Sequence, residues 1–445
     1  MQNPRSTYAA VLVLFAVNVL NFYDRNIAGA LVEPMRKEFG LTDTQVGLLG
    51  SAFIWIYAIV GVPFGRIADR WSRKKLLVAG VLIWTSLTAF AGLASSYMML
   101  LMSRLGVGVG EAVCAPTGTS WLGDLFPPDK RARVLAIFML GVPIGGALSY
   151  FISGPAAQAW GWRTAMVIAS LPALVLVPAL LTLKEPQRGA SENQPVPEAV
   201  APAAENPVMA VLSIPTLWWI IASGVFLNFN MYAIGTFMPA LLSRVHKLSL
   251  ATSGTATGVT YIVGGLCGSL IAGYFGDRII RTRANGRLVI AAALSIVGAP
   301  LAYFGVVQPA GNVALTLVCL TAAYATMNTY YGLVYSSIQD IVAPTQRGLT
   351  MALYFMAMYL CGASFGPLLT GSISDRMARQ AMAEAGAAQM TEAFKAIGLQ
   401  QAMVIIPVLA VALALVLWLA SRTFVKDVAK RDRALAAVAG SASVG

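Results

Sequence analysis

The stretch GRIADRWSRK at residues 65–74 separates two long apolar runs of the chain. Its glycine, aspartate and first following arginine recur with the same spacing in the second half, as G-x-x-x-D-R at residues 273–278, again after an apolar run. A second set recurs in the same way, namely Asp124, Pro128 and Arg131 and then Asp340, Pro344 and Arg347. Two matches at equivalent places indicate an internal duplication. The chain is therefore predicted to contain two similar halves.

The composition places these halves in a membrane. Of the 445 residues, 58% are hydrophobic and 11% are charged, and the mean hydropathy is +0.71. Soluble domains carry about 25% charged residues. The net charge of +12 is divided among short basic clusters between apolar runs, which is typical of loops at a membrane surface and argues against nucleic-acid binding.

Twelve apolar runs are long enough to cross a bilayer, which takes about 20 residues. They lie near 8–31, 44–66, 75–94, 97–123, 132–157, 163–183, 213–242, 250–275, 287–306, 311–339, 347–374 and 397–421. We predict an all-α membrane protein of 12 transmembrane helices in two pseudo-symmetric halves of six. The expected divisions are an N-terminal half at 1–184, a cytoplasmic linker at 185–207, a C-terminal half at 208–421 and a basic cytoplasmic tail at 422–445.

The basic residues also predict the orientation. Clusters at 66–75, 130–133, 278–287 and 422–433 fall on one side of the membrane if the runs alternate in direction. Because Lys and Arg are enriched in cytoplasmic loops, both termini are expected in the cytoplasm. The short connections favour a bacterial inner membrane.

Four charged residues lie inside apolar runs: Asp24 and Arg25 in the first, Arg104 and Glu111 in the fourth. A charge inside hydrocarbon costs at least about 2.5–3.5 kcal/mol, so such a residue is a functional candidate. Arg104 and Glu111 are seven positions apart and share one helix face. The four are predicted to form a substrate-binding and proton-coupling site.

Each member has an expected role. Arg25 is the expected anchor for an anion, because a guanidinium binds carboxylate or phosphate in bidentate fashion. Burial favours the protonated form of a carboxylic acid and a nearby guanidinium the ionised form, so Glu111 is expected to gain a proton when substrate draws an arginine away. Asp24 is the second candidate proton carrier, and Arg104 the counter-ion to an acid. These roles predict exposure to a watery vestibule; the alternative is a static network that only fixes the two helices together.

Amides and tyrosines mark a lower-ranked candidate cavity. Its expected members are Tyr23, Asn228, Asn230, Asn328, Tyr330 and Tyr331. A cavity with charges on one wall and aromatic and amide groups on the other suits an amphipathic solute. Ordinary helix packing is the alternative.

The repeated loop motifs predict a cytoplasmic gate, in which acids pair with arginines when the inner side is closed. The expected gate residues are Gly65, Asp69, Arg70, Arg73, Asp124, Arg131, Asp277 and Arg278. Charges that only set the topology are the alternative, but they leave the repeated glycine and aspartate unexplained.

Other function classes lack their residues. One histidine and four scattered cysteines offer neither a Ser-His-Asp set nor a metal site, and no G-x-x-x-x-G-K-[ST] motif occurs. We therefore expect no enzyme activity and no cofactor. The expected partners are a small-molecule or lipid substrate, a proton and membrane lipids, and the chain is expected to be a monomer. A receptor or scaffold that keeps the fold without transport is the alternative from another class.

Residues 65–74 resemble the signature G-x-x-x-D-R-x-G-R-[RK] of the major facilitator superfamily, with Ser72 in place of the usual glycine. Three motifs resemble the Spinster-like branch: NFYDR at 21–25, RLGVGVGEA at 104–112 and DLFPPDKRAR at 124–133. The resemblance implies a secondary transporter that moves an amphipathic organic anion, such as a lysolipid or a sphingolipid-like molecule, by alternating access with proton coupling. The anion:cation symporter branch carries similar motifs in its first and fourth helices and implies a symporter of small organic carboxylates or sugar acids instead.

Overall fold

The computed structural model describes residues 4–187, 207–280, 282–343 and 346–442, and all regular structure among them is helical. The first-half helices are α1 (Pro4–Ala30), α2 (Val32–Phe39), α3 (Asp43–Arg70), α4 (Arg73–Ala91), α5 (Tyr97–Glu111), α6 (Cys114–Leu125), α7 (Pro128–Met139), α8 (Gly141–Trp160), α9 (Trp162–Ser170) and α10 (Ala173–Thr182). The others are α11 (Pro207–Leu212), α12 (Pro215–Arg244), α13 (Leu250–Val259), π1 (Thr260–Gly264), α14 (Gly265–Ile279), α15 (Gly286–Val306), α16 (Val313–Asp340), α17 (Arg347–Ala357), π2 (Met358–Ala363), α18 (Phe365–Glu384), α19 (Glu392–Met403) and α20 (Ile405–Ala442).

Among the described residues, twelve helical stretches are long and apolar enough to cross a membrane, which confirms the predicted fold class. We number them as spans: 1 is α1, 2 is α3, 3 is α4, 4 is α5–α6, 5 is α7–α8, 6 is α9–α10, 7 is α12, 8 is α13–π1–α14, 9 is α15, 10 is α16, 11 is α17–π2–α18 and 12 is α19–α20. We call the N-terminal end of each odd-numbered span and the C-terminal end of each even-numbered span its near-side end, and the opposite end its far-side end. Most of the expected linker, residues 188–206, lies outside the described residues.

Several spans are less regular than the apolar runs predict. Span 4 breaks between Glu111 and Cys114, and spans 8 and 11 each contain a π-helical segment. Such segments widen a helix locally and are frequent at functional sites. Apolar composition does not reveal them, because a π-turn changes the hydrogen-bond ladder and not the burial of the span.

The chain groups into two compact units. The first comprises spans 1 to 6 with Ile234–Ile262 and Pro367–Leu399, so it contains far-side parts of second-half spans. The second comprises span 7 up to Ala233, Val263–Gly366 and the chain from Gln400 onward.

Glycines of span 4 position the site inside the first unit. A Cβ at Gly108 would lie 2.8 Å from the carbonyl oxygen of Phe53 in span 2, and a Cβ at Gly110 would lie 3.0 Å from that of Gly80 in span 3. Because only glycine allows backbones to approach this closely, span 4 lies tightly between these neighbours. This packing holds Arg104 and Glu111 against span 1.

Candidate functional site

Arg25 and Glu111 form the ion pair at the centre of the candidate site. The Nε of Arg25 donates to Oε2 of Glu111 at 3.3 Å, and its Nη2 donates to the Oδ1 of Asn21 at 3.4 Å. Arg25 projects from the far-side half of span 1, and Glu111 is the last residue of α5. The two spans that carry the four charged residues are therefore in direct contact through them.

Arg104 binds the backbone of span 1. Its Nη1 donates to the carbonyl oxygen of Asp24 at 3.2 Å and its Nη2 to that of Arg25 at 3.4 Å. Arg104 forms no direct ion pair among the described residues, but Glu111 and Asp24 lie close enough for their charges to act on its guanidinium. Its role as counter-ion to an acid stays a prediction.

The carboxylates of Asp24 and Glu111 use only part of their hydrogen-bonding capacity. Both carboxylate oxygens of Asp24 and the Oε1 of Glu111 are buried without a hydrogen-bond partner among the described residues. The indole N–H of Trp84, which is also buried, interacts only weakly with the Asp24 carboxylate. Buried polar atoms are nearly always paired, so these orphan oxygens mark a place for a proton or a polar ligand.

Aromatic rings cover the arginines. The guanidinium of Arg25 lies over the rings of Phe22 and Tyr57, 4.5 and 4.4 Å from their centroids, and Arg104 lies 4.9 Å from that of Phe53. Such stacking favours a cation in a site with little water.

Exposure of these four side chains to a vestibule is not found in this conformation. Asp24 and Glu111 are 0% exposed, Arg104 is 4% and Arg25 is 8% exposed. The aromatic rings contribute to the burial of the two arginines.

The amide and tyrosine residues of the second unit are mostly bonded to neighbouring helices. Asn230 donates to the carbonyl of Ile406 at 3.1 Å, Asn328 donates to that of Gly265 at 2.8 Å, and Tyr330 bonds to Ser223 at 2.7 Å. These contacts fit the packing alternative. In the first unit, Tyr23 bonds to the hydroxyl of Ser153 at 2.8 Å.

Asn228 and Tyr331 are placed differently. The hydroxyl of Tyr331 donates to the Oδ1 of Asn228 at 3.4 Å, and the Tyr331 ring packs edge-on against Tyr335. Tyr335 packs in turn against Tyr354 near π2. Tyr331 and Tyr335 are half-buried, whereas Tyr354 and Asn228 are buried, and the Asn228 amide also donates to the carbonyl of Gly224 at 2.9 Å.

At the near side, Arg73 is the centre of a buried cluster. It pairs with Asp124 at the end of span 4 and with Glu185, 3.2 Å away, just after span 6. The carboxylate of Glu185 also accepts from the Ser72 hydroxyl at 2.6 Å and from the backbone N–H of Arg73 at 2.8 Å. Burial alone would raise the pKa of Glu185, but the hydrogen bonds from Ser72, Arg73 and Lys74 outweigh it and lower the pKa below its ordinary value of 4.5.

The other predicted gate residues are less informative. Arg278 is exposed and donates to the Tyr274 hydroxyl at 3.3 Å, and Arg131 is half-buried. The side chains of Gly65, Asp69, Arg70 and Asp277 lie outside the described set. Their part in a gate stays a prediction.

A second buried ion-pair cluster was missed by the sequence reasoning. It lies at the far side of the first unit, and we call it the far-side network: Glu33, Arg36, Asp43, Arg244, Ser374, Asp375 and Glu392. Arg244 at the end of span 7 binds both carboxylate oxygens of Asp43 at 2.8 Å and Oε1 of Glu33 at 2.6 Å. Ser374 of span 11 donates to Asp43 at 2.6 Å.

The remaining bonds of the far-side network add span 12 and strengthen the contact between spans 2 and 11. Arg36 of α2 pairs with Glu33 at 3.1 Å and with Glu392 of span 12 at 2.6 Å. Asp375 accepts the backbone N–H groups of Asp43 and Thr44 at the start of span 2, at 2.9 and 2.8 Å. The network thus fastens spans of the first half to spans of the second half at their far-side ends.

The comparisons with known proteins agree with this architecture. The family model described as Major Facilitator Superfamily matches residues 14–367. The chain belongs to the major facilitator superfamily. This membership points to transport rather than catalysis.

Two individual members of the superfamily are similar to this chain over most of its length. The chain is 28% identical over 431 residues to an MFS-type efflux pump of Mycolicibacterium smegmatis, covering 97% of this chain and 96% of the relative. It is 27% identical over 395 residues to Protein spinster homolog 3 of Danio rerio, covering 84% and 78%.

A solved structure gives the same result. A bacterial homologue of the human lysosomal transporter Spinster, crystallised in an inward-facing and occupied conformation, superposes with a TM-score of 0.84 at 25% identity, covering 96% of this chain and 99% of that one. The prediction of a Spinster-like transporter of the superfamily is therefore confirmed, and secondary transport is its function.

Proposed function

We propose that this protein is a proton-coupled transporter of an amphipathic organic anion of the lysolipid or sphingolipid-like kind, acting by alternating access. The observation that carries the proposal is the buried Arg25–Glu111 pair, in which one carboxylate oxygen of Glu111 has no partner among the described residues. The similarity to Spinster proteins supports the substrate class. We further propose a monomer in a bacterial inner membrane with both termini in the cytoplasm.

The Arg25–Glu111 pair can couple proton uptake to substrate binding. An anionic head group competes with Glu111 for the guanidinium of Arg25, which binds carboxylate and phosphate equally well. When Arg25 turns to the substrate, Glu111 is left in an apolar site, where its charge is costly, and it takes up a proton. Asp24, buried without a partner among the described residues, is the second proton carrier. Asn228 and Tyr331 remain candidates for contact with the substrate.

The decisive experiment measures uptake in proteoliposomes with and without an imposed pH gradient. Glu111→Gln keeps the size of the side chain and removes its charge, so the gradient should no longer accelerate uptake. Glu38→Gln is the control, because Glu38 is an exposed acid that pairs with Arg163 outside the site. An equal response to the gradient in wild type and Glu111→Gln would remove Glu111 from the coupling.

The far-side network supports the alternating-access part of the proposal. With the predicted orientation, the far side faces away from the cytoplasm, so the network holds the outer ends of the spans together. Transport then requires these ion pairs to break in the outward-open state. Burial of both Arg36 and Arg244 makes that opening costly unless substrate or proton binding compensates.

The second candidate is a symporter of small organic carboxylates or sugar acids. The observation that favours it is the same arginine, since Arg25 would bind a short carboxylate as readily as a lipid head group. A thermal-shift panel separates the two candidates. Stabilisation by sugar acids without stabilisation by lysolipids would reverse the order.

A further inference from the structure

The two halves make the same ion pair at the near side. In the first half, Arg73 at the start of span 3 pairs with Asp124 at the end of span 4. In the second half, Arg287 at the start of span 9 pairs with Asp340 at the end of span 10, at 3.0 Å. The equivalence of Asp124 and Asp340 in the internal repeat makes these corresponding sites.

In the first half, a second carboxylate of the chain, that of Glu185, joins the Arg73–Asp124 pair. Glu185, which follows span 6, places its carboxylate on Ser72, on the backbone of Arg73 and on the Arg73 guanidinium. The start of span 3 is therefore occupied by an anion that belongs to the chain.

The second half has an open cavity beside the corresponding place, lined by Asp340 and by the loop that precedes span 9. Toward its C-terminal end, helix α20 of span 12 presents Phe424 and Val428 to the cavity instead of a carboxylate. The cavity measures about 420 Å³ and lies between these residues and the loop that carries Thr282 and Arg283. Asn285 at the start of span 9 makes no side-chain cap there, because its amide donates to the carbonyl of Ser421 at 3.0 Å.

The charges around the cavity favour an anion. Arg283 and Arg431 both line the cavity, and the guanidinium of Arg283 has no acceptor among the described residues. Asp340 also lines the cavity, but its carboxylate is paired with Arg287 and its carbonyl accepts from Arg431. Arg431 binds Asp432 as well, at 2.9 Å, so Arg283 carries the larger share of uncompensated charge.

The surroundings favour an amphipathic anion. Phe424 and Val428 give the cavity an apolar side, and Ile280 extends it toward the surface. Trp418, 45% exposed, lies under the guanidinium of Arg422 at 4.6 Å on the same helix. An exposed tryptophan beside an arginine is typical of the head-group level of a membrane.

We propose that this cavity binds a phosphate-bearing ligand, which supplies beside the start of span 9 the negative charge that Glu185 supplies at the start of span 3. Arg283 and Arg431 would hold the phosphate, and Phe424 and Val428 would contact the adjoining apolar part. The phosphate can come from an anionic lipid head group of the adjoining leaflet or from a soluble phosphate compound. The proposal does not depend on which solute the protein transports.

Thermal unfolding of the full chain in detergent micelles tests the proposal. Phosphatidylglycerol should raise the unfolding temperature by about 2–4 °C, and phosphatidylcholine with the same acyl chains should not. Arg283→Gln should lose at least half of the shift. Arg433→Gln should keep the shift, because Arg433 is an exposed arginine of helix α20 that lies outside the cavity.

A second variant supplies the missing anion. Val428→Glu places a carboxylate beside the cavity, in imitation of Glu185, so phosphatidylglycerol should no longer shift its unfolding temperature. If millimolar inorganic phosphate reproduces the wild-type shift and Arg283→Gln abolishes it, the site stands and its ligand is soluble. An undiminished lipid shift in both Arg283→Gln and Val428→Glu, or an equal shift with phosphatidylcholine, overturns the proposal.

Discussion

At the scale of single residues, the contacts of Arg25 depend on the planar shape of its guanidinium as well as on its charge. Its guanidinium stacks over Phe22 and Tyr57 while its Nε reaches Glu111. A lysine would keep the charge but lose the planar fork and most of the stacking. The site therefore depends on an arginine and not only on a cation.

Arg25→Lys is predicted to weaken substrate binding about 10- to 100-fold, which corresponds to the loss of about 1–3 kcal/mol of stacking and bidentate bonding. The apparent KM of uptake in proteoliposomes measures this. Arg163→Lys is the matched control, because Arg163 also stacks on a ring, 4.3 Å over Trp162, and pairs with an acid, but lies outside the site. Unchanged KM in Arg25→Lys would show that any cation suffices.

The four charges could be predicted from the sequence, whereas their bonds could not. A charge that faces hydrocarbon is costly, so Arg25 and Glu111 were expected to face the interior of the helix bundle and to have partners there. Arg104 shows the limit. It reaches backbone carbonyls of Asp24 and Arg25, and every residue supplies a carbonyl, so no residue type marks the partner.

At the scale of helices, Glu185 fastens the start of span 3. Because its pKa is lower in the folded state than the ordinary 4.5, its contribution to stability is complete above about pH 5 and disappears as the pH falls through the lowered value. Glu185→Gln is predicted to destabilise the protein by about 1–2 kcal/mol at neutral pH and by nearly nothing below that window. Thermal unfolding of both proteins against pH measures the difference. A difference that stays constant into strong acid would contradict the assignment.

The close approach of spans 2 and 11 gives a second prediction at this scale. A Cβ at Gly371 would overlap the carbonyl oxygen of Asp43, whereas a Cβ at Gly348 would meet open space. Gly371→Ala is predicted to destabilise the protein by about 1–3 kcal/mol. Gly348→Ala, within helix α17, should instead stabilise it by about 0.5–1 kcal/mol. Detergent unfolding temperatures check both signs, and equal effects would place the contact in doubt.

The far-side network shows why some elements escape sequence reasoning. Glu33, Arg36 and Arg244 lie at the ends of apolar runs, where charges are expected in any membrane protein. Their partners are up to 356 positions away, and no spacing connects them. The twelve spans follow from composition within single runs, while this network depends on how ends from different runs meet.

At the scale of the whole molecule, the far-side network closes one end of the transport path in the proposed cycle. Six charged residues and Ser374 join spans 2, 7, 11 and 12 and helix α2 there. Alternating access requires this end to separate once in every cycle. A covalent link across it should therefore stop transport without unfolding the protein.

Thr44 of span 2 and Ser372 of span 11 offer the position for such a link, because their hydroxyl oxygens lie 3.4 Å apart. In a variant without the four native cysteines, Thr44→Cys combined with Ser372→Cys is predicted to form a disulfide on oxidation, because the two side chains already touch and the sulfur atoms would take the places of the hydroxyl oxygens. Uptake in proteoliposomes should fall at least tenfold on oxidation and recover on reduction. Each single substitution, treated in the same way, should transport normally under both conditions. Full transport by the cross-linked protein would mean that the far-side ends do not separate, and the network would then be a permanent joint of the fold.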